Sequence, residues 1–155
     1  MIRNACEIAK KTMQVLNGAG VFGIEMFVDQ DNKILINEIA PRVDNSGHHT
    51  LQSCKTSQFE QHLRAILGLN LGSTDLVHKT VMCNILGPHE FEGKYKSVQL
   101  EKDGVYLKMY GKDISKPQRK LGHFNVVDLN NSKDTSELLK MADEIKNAVS
   151  IMPLS

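Results

Sequence analysis

The chain has 155 residues, 41% of them hydrophobic and none of them Trp, enough for one ordinary core or two small ones and too few for a large multidomain enzyme. Its 19 Lys and Arg nearly balance 18 Asp and Glu for a formal charge of +1, so no global charge excess points to a nucleic-acid or membrane partner. Cys6, Cys54 and Cys83 are odd in number and far apart, which argues against a disulfide framework or zinc cluster and predicts buried, inert thiols in a reducing compartment.

Residues 2–17 carry helical spacing, with Ile2, Cys6, Ala9, Met13 and Leu16 on one stripe and Gly18 as the stop. No capping residue precedes this helix, as though a longer protein had been cut there. Two β-rich stretches follow, VFGIEMFV and ILINEI, separated by the polar turn formers Asp29, Gln30, Asp31 and Asn32. Pro41 and Arg42 then open a loop in which Asn45, Ser46 and Gly47 favour turns. Ser57-Gln-Phe-Glu60 has the form of a capping box, which predicts a helix over 58–67 with Phe59, Leu63 and Ile66 facing inward and Gly68 at its end.

Beyond the loop 70–75 the pattern changes to short strands, best seen at 79–86, 104–110 and 120–127. Between the last two, GKDISKPQRK concentrates Lys112, Lys116, Arg119 and Lys120, as a phosphate cradle or a solvated turn would. An amphipathic helix is expected over 133–149, then the segment IMPLS. No apolar run approaches the length of a membrane span and the N-terminus lacks a signal-peptide core, so the expectation is a soluble chain without a membrane partner. The α+β pattern divides into 1–76, an antiparallel sheet with flanking helices, 77–130, a small β-rich domain, and 131–155, a terminal helix and linker.

The hairpin carries the chemistry. If its turn centres between Asp31 and Asn32, Glu25 pairs directly with Glu38, and like charges at paired positions repel. A cation between them would remove that cost, and oxygen ligands from one or two carboxylates, with phosphate and water completing the shell, suit magnesium in a nucleotide site. Equally open is an edge hairpin whose two Glu side chains simply face solvent.

The strings NEIAPR (37–42), NSGHHT (45–50), TSQFEQHLRAILGLNLG (56–72), YGK (110–112) and RKLGH (119–123) resemble, in order, the C-terminal part of the ATP-grasp enzymes of purine biosynthesis that carboxylate aminoimidazole ribonucleotide. These are the bacterial carboxyaminoimidazole ribonucleotide synthetases and the ATPase portion of the plant and fungal phosphoribosylaminoimidazole carboxylases. GHHT, SQFEQHLRA and NILG look most like the plant form, which implies a cytoplasmic or plastid location.

The resemblance implies a Mg-ATP site with Glu25 and Glu38 as metal ligands and Asn37 with Glu38 at the nucleotide, although strand alternation would turn Asn37 to the opposite face. It implies that Arg42 and Asn45 act in catalysis, Arg42 facing bicarbonate or carboxyphosphate oxygens and Asn45 and Ser46 lying beside the substrate. Lys112, Arg119 and Lys120 would clamp the ribonucleotide 5′-phosphate. His48, His49 and His123 have no triad or metal motif around them, and His62 is expected to be structural.

One position departs from the pattern. Asp44 stands where the family usually has His, and an ionised Asp only accepts hydrogen bonds and adds negative charge near an anionic substrate. The implied partners are ATP, bicarbonate and aminoimidazole ribonucleotide, the N-terminal and lid domains of the same polypeptide, a fused mutase domain and a second copy in a homo-oligomer. With those domains missing, the chain alone is not expected to turn over. Alternatives are a piece of another ATP-grasp carboxylase or ligase, or a non-catalytic assembly domain.

Overall fold

The computed structural model describes residues 1–97 and 100–154. It is a mixed α/β chain with antiparallel sheets that separates into two units, Met1–Asp75 and Leu76–Ser155.

The first unit begins with α1 (Ile2–Leu16), which ends where Asn17 turns left-handed at φ 48° and donates its N–H to the Met13 carbonyl. The covered side of α1 is centred on Ala5, Ile8, Ala9, Thr12 and Met13, whereas Ile2 and Leu16 are exposed, as is Cys6. The expected stripe is therefore rotated toward Ala5, Ile8 and Thr12, and Ala9 and Met13 belong to both stripes. None of the three thiols is fully buried, since Cys54 and Cys83 are half-buried. Partial burial nonetheless pushes the Cys83 thiol above its ordinary value, which keeps it protonated.

Strands β1 (Gly23–Val28) and β2 (Ile34–Ala40) form the expected hairpin. Its loop is tied by Asp29, whose carboxylate accepts from the N–H groups of Asp31 and Lys33, with Asn32 left-handed at φ 60°. A short 3-10 turn (Asn45–Gly47), α2 (Thr50–Ser53) and α3 (Gln58–Ile66) complete the unit.

Helix α3 differs from its apolar forecast. Leu63 and Ile66 are 55% and 50% exposed, and Phe59 is half-buried. Gln58, Gln61 and His62 instead hold three loops by hydrogen bonds. Gln61 exchanges two with the Gly72 backbone, at 3.0 and 2.8 Å, and the His62 ring accepts the Val21 N–H at 2.9 Å. At the helix start Ser57 caps the Glu60 N–H, but the Glu60 carboxylate turns to Arg64 at 2.7 Å, so only one half of the capping box forms.

In the second unit, β7 (Lys120–Val127) lies between β3 (Thr80–Leu86) and β5 (Val105–Met109), antiparallel to both. Helix α4 (Thr135–Ala148) covers one face of this sheet and closes a core of Ile85, Phe124, Val126, Leu138, Ala142 and Ile145. Its Asp134 cap and Glu137 form the full reciprocal capping box. A second sheet, in the order β6 (Ile114–Ser115), β4 (Gly93–Ser97) and β8 (Ile151–Pro153), was not foreseen. Residues 131–154 are accordingly part of this unit: the segment expected as a linker pairs Ile151, Met152 and Pro153 with β4, and its last residue, Ser155, lies outside the described residues. No helix among the described residues is long and apolar enough to cross a membrane.

Two adjacent leucines on α4 test this packing. Leu138 is 2% exposed and Leu139 is 50% exposed. Leu138→Ala is expected to cost about 2–5 kcal/mol in denaturant unfolding and Leu139→Ala within roughly 0.5 kcal/mol of nothing; equal losses would contradict the packing of α4.

Candidate functional site

Glu25 and Glu38 are direct cross-strand partners. Nearer the turn the register is one residue different, with Met26 opposite Ile36, Phe27 opposite Leu35 and Val28 opposite Ile34. Asn37 is the extra residue, a β-bulge that sets both Asn37 and Glu38 against Glu25. A turn centred on Asp31 alone would have slipped the pairing by one; the bulge restores it. It also overturns the expectation from simple alternation, because Asn37 Nδ2 donates to Glu25 Oε2 at 3.4 Å and so stands on the carboxylate face. All three side chains are exposed, and the oxygen donor set fits a hard divalent cation. Among the described residues no cluster of three or more His, Cys, Asp or Glu forms a metal-ligand set, so the pair supplies two carboxylates of a shell left to be completed.

The loop after β2 lies against the same face. A methyl group built on Gly23 would fall 2.8 Å from Asp44 Cβ, and Gly23 shares its face of β1 with Glu25. Asp44 is the organiser of this loop. Its Oδ2 accepts from the N–H and hydroxyl of Ser46, at 2.9 and 2.7 Å, while Arg42 NH1 reaches Asp44 Oδ1 at 3.4 Å and the Val43 carbonyl at 2.9 Å. The Ser46 bonds, with a lesser contribution from Arg42, hold the Asp44 carboxyl below its ordinary value despite partial burial. Among the described residues Arg42 takes Asp44 as its ion-pair partner and neither hairpin carboxylate. Its side chain stays 62% exposed.

His48 and His49 are both held at Nδ1 by hydrogen bonds within the loop and helices. Gln58 Nε2 is 2.7 Å from His48 Nδ1, and the same amide donates to the Asp44 carbonyl and accepts the Asp44 N–H. That backbone pair fixes which end of the amide is nitrogen, so His48 Nδ1 is an acceptor and its proton sits on Nε2. His49 Nδ1 lies 2.8 Å from the hydroxyl of Ser53, which is 1% exposed. Both rings serve the scaffold, as His62 does. Gln58 was missed by sequence reasoning; its signal was a long polar residue just inside a helix start, next to a loop rich in turn formers.

The basic residues belong to the second unit. Lys112 Nζ donates to the Lys120 carbonyl at 2.6 Å and lies 5.9 Å from the Tyr110 ring centroid, and Arg119 NH1 donates to the Ile114 carbonyl at 3.0 Å. These bonds hold two cations by backbone oxygens without neutralising them. Lys116 differs, paired with Glu92 at 2.9 Å. Tyr110 in turn is 3.0 Å from Nδ1 of buried His123, which makes that histidine a support for the corner and not an exposed base.

Comparison with known proteins agrees with this division. Residues 1–59 match the ATP-grasp domain and residues 80–137 the phosphoribosylaminoimidazole carboxylase C-terminal domain. The chain is 48% identical to the N5-carboxyaminoimidazole ribonucleotide synthase of Aquifex aeolicus over 81% of its own length, which is 34% of that protein, so it spans about a third of such a relative. It superposes on N5-carboxyaminoimidazole ribonucleotide synthetase from Thermotoga maritima with a TM-score of 0.85 at 45% identity, covering 98% of this chain and 42% of that one. The Aspergillus clavatus N5-carboxyaminoimidazole synthase, solved with ADP and 5-aminoimidazole ribonucleotide, superposes with a TM-score of 0.75 at 30% identity, covering 94% and 39%. The chain belongs to the ATP-grasp family of N5-carboxyaminoimidazole ribonucleotide synthases and phosphoribosylaminoimidazole carboxylases, of which it carries part of the ATP-grasp domain and the C-terminal domain.

Proposed function

We propose that the chain supplies the magnesium ligands and the anion contacts of an enzyme that uses ATP and bicarbonate to carboxylate aminoimidazole ribonucleotide. The observation that carries this reading is the bulge-set pairing of Glu25 with Glu38. In the reaction, bicarbonate oxygen takes the γ-phosphoryl group of ATP, giving carboxyphosphate and ADP. The exocyclic amine then attacks the carboxyl carbon, phosphate leaves, and the amine loses a proton. Such transfers depend on positioning and charge neutralisation, and no enzyme nucleophile is needed.

Glu25 and Glu38 would hold the cation, which neutralises the polyphosphate when bound. Asn37, by donating to Glu25, orients that carboxylate. Arg42 presents its guanidinium to bicarbonate or carboxyphosphate from a loop in which Asn45 and Ser46 are held over the hairpin by Asp44. Lys112, Arg119 and Lys120 form the 5′-phosphate contacts, with the first two preorganised by backbone carbonyls. The remaining contacts to ATP come from domains of the relatives that lie outside this chain.

Removing one carboxylate has two opposed consequences. Glu38→Gln relieves like-charge repulsion, so the metal-free chain should melt slightly higher, yet it should lose the stabilisation that magnesium gives the unsubstituted chain. Asn37→Leu should weaken Mn2+ binding, followed by paramagnetic broadening of the Glu25 and Glu38 amides, about tenfold. Broadening centred elsewhere, or unchanged by both substitutions, would defeat the metal assignment.

Turnover is expected to need the absent domains. Phosphate release from ATP in the presence of bicarbonate and aminoimidazole ribonucleotide should stay at background for this chain alone. Robust release by these residues would refute that division of labour.

A further inference from the structure

We infer that Gln58 is a positioning residue for the substrate loop, the group through which α3 sets where Arg42, Asn45 and Ser46 stand. The inference rests on the proposed role of that loop in meeting the substrate. Gln58 is 8% exposed although its side chain ends in a polar amide. Its amide spans the loop at two points: Oε1 accepts the Asp44 N–H at 3.0 Å, and Nε2 lies 2.7 Å from both the Asp44 carbonyl and His48 Nδ1. The bonds to Asp44 fix the residue whose carboxylate holds Ser46 and reaches Arg42. The bond to His48 fixes the far end of the 3-10 turn.

The loop backbone is shaped around this amide. A methyl group on Gly47 would lie 2.5 Å from Gln58 Oε1, so only a residue without Cβ lets the turn pass so close. The Gln58 backbone is held as well, because its N–H donates to Thr50 Oγ1 at 2.9 Å and Thr50 in turn donates to the Gly47 carbonyl at 2.6 Å. Helix start and loop are thereby locked from both sides of Gly47. No apolar residue of similar size reproduces the lock, since it would leave the Asp44 N–H and carbonyl without their partner.

Two variants of the full chain separate positioning from packing. Gln58→Met keeps the volume and removes all three side-chain bonds; Gln58→Glu keeps an acceptor for the Asp44 N–H and removes both donor bonds. Amide exchange at Asp44, Ser46 and Gly47 should rise about tenfold or more in Gln58→Met and by an intermediate factor in Gln58→Glu. The His48 ring should lose its fixed Nε2–H tautomer, and the response of the Arg42 Nε–H to added inorganic phosphate should weaken in the same order. Exchange and tautomer unchanged in Gln58→Met would show that shape alone suffices and overturn the inference. So would melting of the whole unit with no separate effect on the loop in either variant. Loop exchange decides the role of Gln58 without reference to ligand, so a silent Arg42 in the unsubstituted chain would count against the anion role proposed for Arg42 and be told apart from a failure of the Gln58 lock.

Discussion

Two carboxylates forced into one cross-strand pair are the constraint around which the first unit is arranged. Left alone, Glu25 and Glu38 repel, and a hairpin with a uniform register set by its turn would have separated them. The bulge at Asn37 shifts β2 by one residue and brings them opposite each other, at some cost in ladder regularity. It also places an amide donor beside Glu25, which gives that carboxylate a fixed partner in the absence of a cation. Local irregularity of this kind in the middle of a hairpin is how a sheet re-aims a side chain, and here it aims three polar groups to one side.

The loop that completes the site needs a different sort of support. Residues 41–49 contain little to bury, so hydrophobic packing has no purchase on them. Helix α3 provides that purchase through polar side chains: Gln58 takes this loop, Gln61 the turn at Gly72 and His62 the turn at Val21. Each is a buried or half-buried hydrogen bond to backbone, specific in direction as an apolar contact is not. The outer side of the helix, with Leu63 and Ile66, is left exposed. A helix whose inward face is polar is an attachment point more than a core element.

Periodicity found the elements that obey it. Helices α1, α3 and α4, the hairpin, and strands β3, β5 and β7 were all legible, because each carries an apolar repeat or a cap. Strands β4, β6 and β8 were not: Gly93–Ser97 has one large apolar residue, β6 has two residues, and β8 ends on Pro153 at a sheet edge where no donor is required. The carboxylate pair was reached by assuming a symmetric hairpin, and its register agrees only because turn and bulge offset each other. Asn37 and Gln58 lay beyond such reasoning. Their orientation depends on a bulge and on a loop 14 residues away, neither of which has a period.

Asp44 shows why a departure from a motif has to be weighed in place. As a free carboxylate beside an anionic substrate it would oppose binding. In the structure its charge is spent: two bonds from Ser46 and the proximity of Arg42 stabilise the ionised form, and its side chain is 18% exposed. A histidine could not accept two bonds at one oxygen and face a guanidinium at another. Asp44 thus exchanges a mobile proton for a held loop, and the side chain of the arginine it reaches remains 62% exposed. If Arg42 meets the bicarbonate or carboxyphosphate oxygens, what the site needs from position 44 is an arginine that arrives in place, and a carboxylate capped by Ser46 supplies that by geometry and not by proton transfer.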